Sequence, residues 1–208
     1  MKEYRTVQEE FWVGKFGDEY IERNKSKEIL SRKVAMFSKI LDRMPSKPSS
    51  CIEFGANIGL NIKALKVLLP AIKTSAVEIN EEAVKELEHI KNVEIFHQSI
   101  LDFANELEKW DLTFICTVLI HINPQELSKV YDVLYKNSRK YILVAEYYNP
   151  TPIEVVYRGN TGKLFKRDFA GEIMDRYPDL HLIDYGFVYH KDHVFPGDDI
   201  TWFLMEKE

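Results

Sequence analysis

The fold of this chain is predicted best by the stretch CIEFGANIGLN, which occupies positions 51–61. Its first four residues form an apolar run around one carboxylate, Glu53, and predict a short buried strand. Gly55 and Gly59 then bracket a turn whose middle residue, Asn57, tolerates left-handed backbone angles. Beyond the turn, apolar residues recur at helical spacing, so a helix begins there with its free N–H groups facing the turn. A strand, a glycine turn and a helix start in this order are typical of a site for a nucleotide-like ligand.

The next predicted strand, KTSAVEIN at 73–80, ends near an acidic residue. Glu78 lies nineteen positions after Gly59, which is the spacing at which a carboxylate binds the hydroxyls of a ribose. The glycine pattern E-x-G-x-x-x-G also occurs in ordinary strand–turn–helix units, so it is weak support by itself. Together, the turn and the acid predict a nucleoside-binding α/β sheet.

Strands and helices alternate along the rest of the chain, which predicts an α/β fold with a mostly parallel sheet. We expect one domain over residues 1–208, because the length and the hydrophobic content of 45% suit a single core. The last two strands are close enough in sequence to form a hairpin. The predicted strands after 73–80 are 93–97, 110–116, 141–146, 182–189 and 200–205, and the predicted helices are 26–44, 81–90 (capped by Asn80) and 125–135.

Two segments fall outside this alternation. Residues 1–45 are predicted to form an N-terminal helical lid, whose first part is broken at Gly14 and Gly17 into two short pieces. A helix simply docked on the core is the alternative. Residues 151–178 show no regular element of the sheet, and the mixture of cations, aromatics and carboxylates over 146–178 predicts a substrate-binding insertion. A solvated charged loop is the alternative for this second segment.

The composition limits the class of partner. The net charge of −5, with interspersed signs and no long basic run, argues against a nucleic acid held through its phosphates and favours a small-molecule substrate. The N-terminus has no apolar signal core, and the longest apolar run, 112–122, is too short to span a bilayer. We therefore expect a cytoplasmic protein without membrane contact.

Cysteine and histidine usage predicts neither a disulfide nor a metal site. Cys51 and Cys116 both lie in predicted buried strands, where a cysteine usually serves as a small core residue. The loop between the last two strands holds two histidines and two aspartates, but it lacks the helical spacing and the cysteine partners of familiar zinc sites. We expect no metal there; the four residues are His190, His193, Asp198 and Asp199.

Polar residues follow the carboxyl ends of the third, fourth and fifth strands, which is the edge where open α/β sheets carry their chemistry. Ser99 and Ile100 follow the third strand and could contact a base, although Ser99 could instead cap a helix over 101–107. His121 follows the fourth strand and is either a general base near neutral pH or a structural histidine bonded to backbone. The fifth strand delivers Glu146 to the same edge.

The alternating strands and helices, the glycine turn, the acid and the final hairpin together resemble a class I S-adenosylmethionine-dependent methyltransferase over nearly the whole chain. Several later motifs are more specific and resemble the methylase family associated with pseudaminic acid biosynthesis. Asn57 and Glu53 depart from the generic methyltransferase pattern, where glycine and aspartate are commoner. Asparagine still accepts left-handed backbone angles, and glutamate still supplies a carboxylate. The motifs are FGANIG (54–59), VLIHINP (118–124), EYYNPTP (146–152), YRG (157–159) and DDITWF (198–203), with FGDEY (16–20) and RN (23–24) near the start.

The resemblance implies a Rossmann-like fold with a seven-stranded, mostly parallel sheet in the order 3-2-1-4-5-7-6, in which strand 7 is antiparallel and helices cover both faces. It also implies S-adenosylmethionine as the cofactor and S-adenosylhomocysteine as the product. The implied acceptor is a nonulosonic (pseudaminic-type) acid, an amino-sugar precursor or a nucleotide-activated form used in surface glycan biosynthesis. The acceptor atom and the oligomeric state stay open.

The same resemblance implies residue roles. Glu53 would bond the amino group of the cofactor and Glu78 its ribose, while His121 is preferred to Tyr147 as the catalytic base. The other expected cofactor-binding residues are Gly55, Ala56, Asn57, Gly59, Ile79, Ser99, Ile100 and Thr117. The expected substrate-binding residues are Tyr20, Arg23, Glu146, Tyr148, Asn149, Arg158, Arg167 and Asp168.

Two other functions compete with this interpretation. The same turn and acid could hold NAD in an oxidoreductase, but the glycine spacing is G-x-x-x-G rather than G-x-G-x-x-G, and the terminal hairpin belongs to methyltransferases. A non-catalytic, cofactor-binding partner of another methylase is the second alternative.

Overall fold

The protein forms a seven-stranded sheet in the order β3-β2-β1-β4-β5-β9-β8, in a computed structural model that describes residues 4–24, 26–104 and 108–208. All neighbouring strands are parallel except those paired with β9, which runs antiparallel to both of its neighbours. The predicted order 3-2-1-4-5-7-6 is confirmed. Two short strands, β6 and β7, lie outside this sheet, so the strands predicted as 6 and 7 are β8 and β9 in the structure. The strands are β1 Ser50–Phe54, β2 Lys73–Glu78, β3 Val93–His97, β4 Trp110–Cys116, β5 Ser138–Glu146, β6 Ile153–Glu154, β7 Phe165–Lys166, β8 Leu180–Val188 and β9 Ile200–Lys207.

Helices pack on both faces of the sheet, as predicted. One face packs its apolar side chains, such as Ile52 and Ile115, against α6 and α7, and the other packs Cys51 and Phe114 against α3 and α4. Among the described residues, no helix is both long and apolar enough to cross a membrane. The helices are α1 Val7–Val13, α2 Lys15–Arg23, α3 Lys27–Arg43, α4 Leu60–Leu68, α5 Glu81–Glu88, α6 Leu127–Asn137 and α7 Phe169–Arg176.

The N-terminal helices differ from the prediction at one glycine. The chain breaks between α1 and α2 at Gly14, as expected, but Gly17 lies inside α2 and does not interrupt it. A Cβ at Gly17 would lie 1.9 Å from the carbonyl oxygen of Trp12 and 2.9 Å from Nδ2 of Asn80. Gly17 is therefore required for close packing of α2 against the end of α1 and the N-cap of α5, rather than for a helix break.

The segment 146–178 also differs from the prediction. Its two short strands, β6 and β7, pair with each other and not with the main sheet, which agrees with the expectation. However, the segment also contains α7, which the sequence analysis missed. Apolar residues recur at helical spacing along this helix and are buried against the core, and Asp168 caps its first turn by accepting a hydrogen bond from the Gly171 amide at 2.9 Å.

The helix predicted over 101–107 is only partly covered by the described residues. A 3-10 turn spans Ile100–Asp102, and residues 105–107 lie outside the described part of the chain. The other predicted elements agree with the structure to within a few residues at each end.

Candidate functional site

A cavity lies at the carboxyl ends of the central strands, between the sheet and the N-terminal helices. Nine of the ten predicted cofactor-binding residues line it, together with His121 and Tyr20. Gly59 is the tenth and does not line the cavity; it is the N-cap of α4, in a left-handed conformation with φ 72°. The predicted residues on the wall are Glu53, Gly55, Ala56, Asn57, Glu78, Ile79, Ser99, Ile100 and Thr117.

The glycine turn forms the floor of this cavity. Gly55 and Asn57 both have positive φ angles, 75° and 47°, which confirms the left-handed backbone expected of the asparagine. The amides of Gly55 and Ala56 donate to the carbonyl of Val77 at 2.8 and 3.1 Å. The Asn57 amide donates to Oε2 of Glu78 at 2.6 Å, so the turn is bonded to both the backbone and the terminal acid of the next strand.

Gly55→Ala should displace this turn. A Cβ at Gly55 would lie 2.6 Å from Cγ2 of Val118, on the loop after β4, and the residue also has a positive φ. We expect a loss of stability of about 2–5 kcal/mol, the sum of a left-handed backbone penalty and overpacking. Gly159→Ala is a matched control, because Gly159 has φ +82° with open space around its Cβ. Chemical denaturation measures the free energy of unfolding of both variants. Equal losses of stability would contradict the expected clash between the new Cβ at position 55 and Val118.

Glu53 is a buried carboxylate with one unused oxygen. Its side chain is 1% exposed, and Oε1 accepts a hydrogen bond from Nδ2 of Asn61 at 2.6 Å. Oε2 has no partner among the described residues. Burial raises the pKa of Glu53 to about 8, although the bond from Asn61 opposes that rise. The side chain can therefore accept a further donor, and a cation there would favour its ionised form.

Glu78 is held by three backbone amides. Oε1 accepts from the amides of Ile79 and Asn80, both at 2.8 Å, and Oε2 accepts from Asn57. Burial raises the pKa of Glu78, and these backbone donors partly offset the rise. A carboxylate offers about four lone-pair sites, so one site stays free for a ligand hydroxyl. Asn80 also caps α5 through Oδ1, as predicted, by accepting from the Ala83 amide at 2.9 Å.

The hydroxyl of Ser99 makes two hydrogen bonds within the protein. It accepts a hydrogen bond from the Leu101 amide at 3.0 Å and donates one to Oε1 of Glu9. Ser99 therefore caps the 3-10 turn, which was one of its two predicted roles, and it also joins this loop to α1. Its position on the cavity wall beside Ile100 leaves the predicted contact with a base open.

His121 lines the cavity and is bonded to backbone at the same time. Its Nδ1 lies 2.6 Å from the carbonyl oxygen of Lys163, so Nδ1 carries the proton and donates it, and Nε2 of the neutral ring keeps a lone pair. Burial lowers the pKa of His121 to about 4. Its ring lies between Trp12 and Tyr157, with centroid distances of 4.6 and 5.0 Å. The ring is therefore unprotonated at neutral pH.

Glu146, a predicted substrate-binding residue, has a structural partner instead. It is 2% exposed and is absent from the cavity wall. Its Oε1 accepts hydrogen bonds from the amides of Val118 and Leu119, both at 2.9 Å. Burial raises the pKa of Glu146 to about 7. Glu146 thus fixes the loop that carries His121, which is an indirect role.

Tyr147, the second candidate base, is poorly suited to that role. It is half-buried, lies outside the cavity wall, and has Nζ of Lys166 5.1 Å above its ring. Burial and then the charge of Asp198 raise its pKa, so the phenol keeps its proton at neutral pH. A protonated phenol can donate a hydrogen bond but cannot remove a proton from an acceptor.

The structure does not bring the other predicted substrate residues into the cavity. Arg167 pairs with Glu172 at 3.0 Å, and Asp168 is used as the cap of α7. The guanidinium of Arg23 lies over the rings of Phe16 and Tyr20. Their substrate roles stay predictions without a supporting contact, as do those of the residues on the neighbouring outer surface, which are Tyr148, Asn149 and Arg158.

Sequence analysis missed several cavity residues on the N-terminal helices, among them Gln8, Trp12 and Lys33. Gln8 donates from Nε2 to the carbonyl of Gly162 at 2.9 Å, and its Oε1 has no partner in the described part of the chain. Trp12 lies beside His121, and its indole N–H is likewise without a described partner. Lys33, on α3, also lines the cavity. Only long-range packing brings these residues to the sheet edge, so no local spacing indicates them.

The described residues contain no group of three or more histidine, cysteine or acidic side chains that could hold a metal ion. In the loop between β8 and β9, His190 instead pairs with Asp199, with Nδ1 2.8 Å from Oδ2.

The architecture of this chain is similar to that of several solved methyltransferases. The plantazolicin methyltransferase BpumL in complex with S-adenosylhomocysteine has a TM-score of 0.66 at 11% identity, covering 97% of this chain and 94% of that one. The chain has the class I methyltransferase fold. The 1,6-didemethyltoxoflavin-N1-methyltransferase of Burkholderia thailandensis, with its substrate and S-adenosylhomocysteine bound, has a TM-score of 0.68 at 12% identity, covering 100% and 93%.

A third methyltransferase of this fold is the N-methyltransferase NodS of Bradyrhizobium japonicum, with a TM-score of 0.62 at 13% identity, covering 88% of this chain and 98% of that one. No family model and no curated protein matches this chain. The resemblance to the pseudaminic acid-associated methylases therefore stays a prediction from the sequence motifs.

Proposed function

We propose that this protein is an S-adenosylmethionine-dependent methyltransferase that acts on a small acceptor. The observation that carries the proposal is the unused oxygen of Glu53, buried on the cavity wall at the end of β1. An acceptor in that position requires a donor, and an unpaired buried polar atom is costly. Glu78, at the end of the neighbouring strand, supplies the second acidic contact on the same wall.

The residues present fit this cofactor. The ammonium of its methionine part would donate to Oε2 of Glu53, and a ribose hydroxyl would donate to the remaining site on Glu78. Apolar side chains at Ile79 and Ile100 would contact the adenine. Methyltransferases of the same fold have been solved with S-adenosylhomocysteine, which supports the choice. When bound, the cofactor supplies an electrophilic methyl group on a sulfonium.

The protein's own part in the transfer is alignment and proton removal. Nε2 of His121 keeps a basic lone pair, and the orientation of the ring is fixed because Nδ1 donates to the Lys163 carbonyl. Glu146 holds the loop on which His121 lies. His121 would therefore accept the proton of a hydroxyl acceptor as the methyl group is transferred, or the proton of an ammonium acceptor before its nitrogen attacks the methyl group.

For the acceptor, we propose a nonulosonic (pseudaminic-type) acid, an amino-sugar precursor or a nucleotide-activated form. The support is the set of sequence motifs at 118–124, 146–152, 157–159 and 198–203. The first follows β4, the second begins at the last residue of β5, the third lies between β6 and β7, and the fourth covers the start of β9 and the two residues before it. These positions are at the sheet edge that also carries the cavity.

Calorimetry with S-adenosylmethionine and, separately, with NAD tests the cofactor. We expect micromolar binding of the first and none of the second, and the reverse result would overturn the proposal. Turnover on a panel of nonulosonic acids, their nucleotide forms and amino-sugar intermediates, read by intact mass, tests the acceptor. Cofactor binding without a methylated product in that panel or in cell extract would instead favour a non-catalytic partner.

A further inference from the structure

β8 carries an exposed row of aromatic side chains. Tyr185 and Phe187 on this strand and Tyr189 just beyond it are 63%, 57% and 45% exposed. Tyr185 stacks on the half-buried Phe203 of β9, with ring centroids 6.1 Å apart, and Tyr148 lies 5.8 Å from the same ring. The rings of Phe187 and Tyr189 are 6.1 Å apart. These five residues form one surface, the aromatic stripe, and large apolar surfaces of this kind usually mark an interface.

The stripe lies on the face of the sheet that also packs against α6 and α7. Phe203 packs on the core cluster of that face, whereas Val188 packs on the cluster of the other face. Because side chains alternate along a strand, Tyr185 and Phe187 point to the side of Phe203. Their exposure shows that α6 and α7 do not extend over them.

The backbone edge beside the stripe is also open. β8 is the last strand of the sheet, and among the described residues no strand pairs with its outer edge. The Tyr185 amide donates to the adjacent Asp184 side chain at 2.9 Å rather than to a neighbouring strand. A bulge lies between Leu182 and Asp184, but 184–188 keep a regular register with β9. Edge strands are commonly protected by lysine or proline, and β8 contains neither.

Charge favours a second copy of this chain as the occupant. Each copy has a net charge of −5, so two copies repel unless they meet at a surface without unpaired charges. The two charge-bearing side chains of β8 both have partners. Asp184 pairs with Arg43 of α3 at 3.1 Å, and His181 pairs with Glu208 at 3.0 Å. The rings of the stripe carry no charge, so two copies can meet there without opposing like charges.

The geometry of the strand favours the same occupant. A twofold axis beside β8 makes the strand its own antiparallel partner, and directly opposed residues in such a pair lie on one face of the sheet. The stripe of one copy therefore continues into that of the other. Four rings that are about half exposed offer about 400 Å² per copy, or about 800 Å² for two copies. Pairing of the two backbones brings the interface to about 1,000 Å², the lower limit for a specific complex.

We propose that this chain forms a twofold-symmetric dimer in which β8 pairs antiparallel with β8 of a second copy and the two aromatic stripes pack against each other. The sheet then continues across the axis from one copy to the other. No residue of the stripe lines the cavity. Dimer formation is therefore separate from the cofactor site and does not depend on the proposed function.

Sedimentation velocity tests the dimer on the wild-type protein from about 1 to about 200 µM. We expect the mass to rise towards twice the chain mass of 24.4 kDa. In Tyr185→Lys/Phe187→Lys, new positive charges of the two copies would oppose each other, and we expect dimerisation to weaken at least about 100-fold. Val67→Lys is the matched control and should dimerise like the wild type, because Val67 is 60% exposed but lies on α4.

Hydrogen exchange distinguishes strand pairing from contact between rings alone. At high concentration, amides in 184–188 should exchange more slowly in the wild type than in the doubly substituted variant, while the amides of β1 exchange equally because both proteins are folded. A wild-type protein that stays monomeric at about 200 µM would overturn the proposal. A dimer that survives both substitutions would place the interface elsewhere and overturn it too. A dimer without slower exchange in β8 would overturn the strand pairing.

Discussion

Replacing Glu53 by glutamine is expected to weaken S-adenosylmethionine binding by about 10- to 100-fold and, at pH 8, to raise the melting temperature of the ligand-free protein. The first effect follows because a charge-assisted bond to the ammonium is lost, which is worth about 1.5–3 kcal/mol. Glutamine can still accept the bond from Asn61, so the surrounding packing is kept. The affinity is measured by calorimetry at pH 8.

The stability effect follows from the pKa of the buried acid. In the unfolded chain Glu53 loses its proton near pH 4.5, whereas in the folded protein it holds the proton until about pH 8. Between these values the folded state binds more protons, so the wild-type protein loses stability as the pH rises, by up to about 1.4 kcal/mol per pH unit. Glu146, with a pKa of about 7, adds to this loss up to neutral pH.

The variant lacks the Glu53 titration, so its stability should fall less steeply between pH 5 and pH 8. Melting curves across that range, with Glu88→Gln on the exposed side of α5 as the control, measure the slope. A Glu53→Gln protein with the wild-type slope would show that the buried acid is ionised in the folded state. If Glu53→Gln still binds the cofactor tightly, Glu53 is not a cofactor-binding residue.

Replacing His121 by asparagine is expected to reduce the rate of methyl transfer by about 10²- to 10⁴-fold, with cofactor affinity within about threefold of wild type. Asparagine can keep a donor near the position of Nδ1, and with it the bond to the Lys163 carbonyl, but it has no atom at Nε2. Single-turnover rates with a saturating acceptor measure the loss directly.

The pH dependence separates His121 from other bases. Because the pKa of His121 is lowered to about 4, protonation of this ring should not limit the wild-type rate between pH 5 and pH 9. Tyr147→Phe provides the control, since the raised pKa of Tyr147 excludes it as a base at neutral pH. A His121→Asn protein with unchanged turnover across pH 6 to 9 would show that the base assignment is wrong.

The fold was predictable because its signals are local. The glycine turn, the acid after β2 and the cap at Asn80 each depend on residues close in sequence, and the structure has all three. Gly17 was misinterpreted for the opposite reason. Its role depends on tertiary packing against the carbonyl of Trp12 and the side chain of Asn80, which no local pattern shows.

The residues predicted to bind the cofactor converge on one cavity, whereas most of those predicted to bind the acceptor do not. A strand that ends in a carboxylate places that group at a defined edge of the sheet, so spacing indicated Glu78, whereas Glu53 was indicated by the resemblance to methyltransferases; both line the cavity. A charged loop has no such constraint, and its side chains can pair with each other. Arg167 does so with Glu172, and periodicity could not distinguish that pairing from ligand binding.

Trp12 gives the protein a built-in optical reporter. The chain has three tryptophans, and Trp110 and Trp202 are buried within the core clusters at 1% and 5% exposure. Trp12 alone among them lines the cavity, beside the ring of His121. Intrinsic fluorescence should therefore change as the cavity fills. Ligand capture can be followed in stopped flow on the unlabelled protein, with Trp12→Phe as the silent variant.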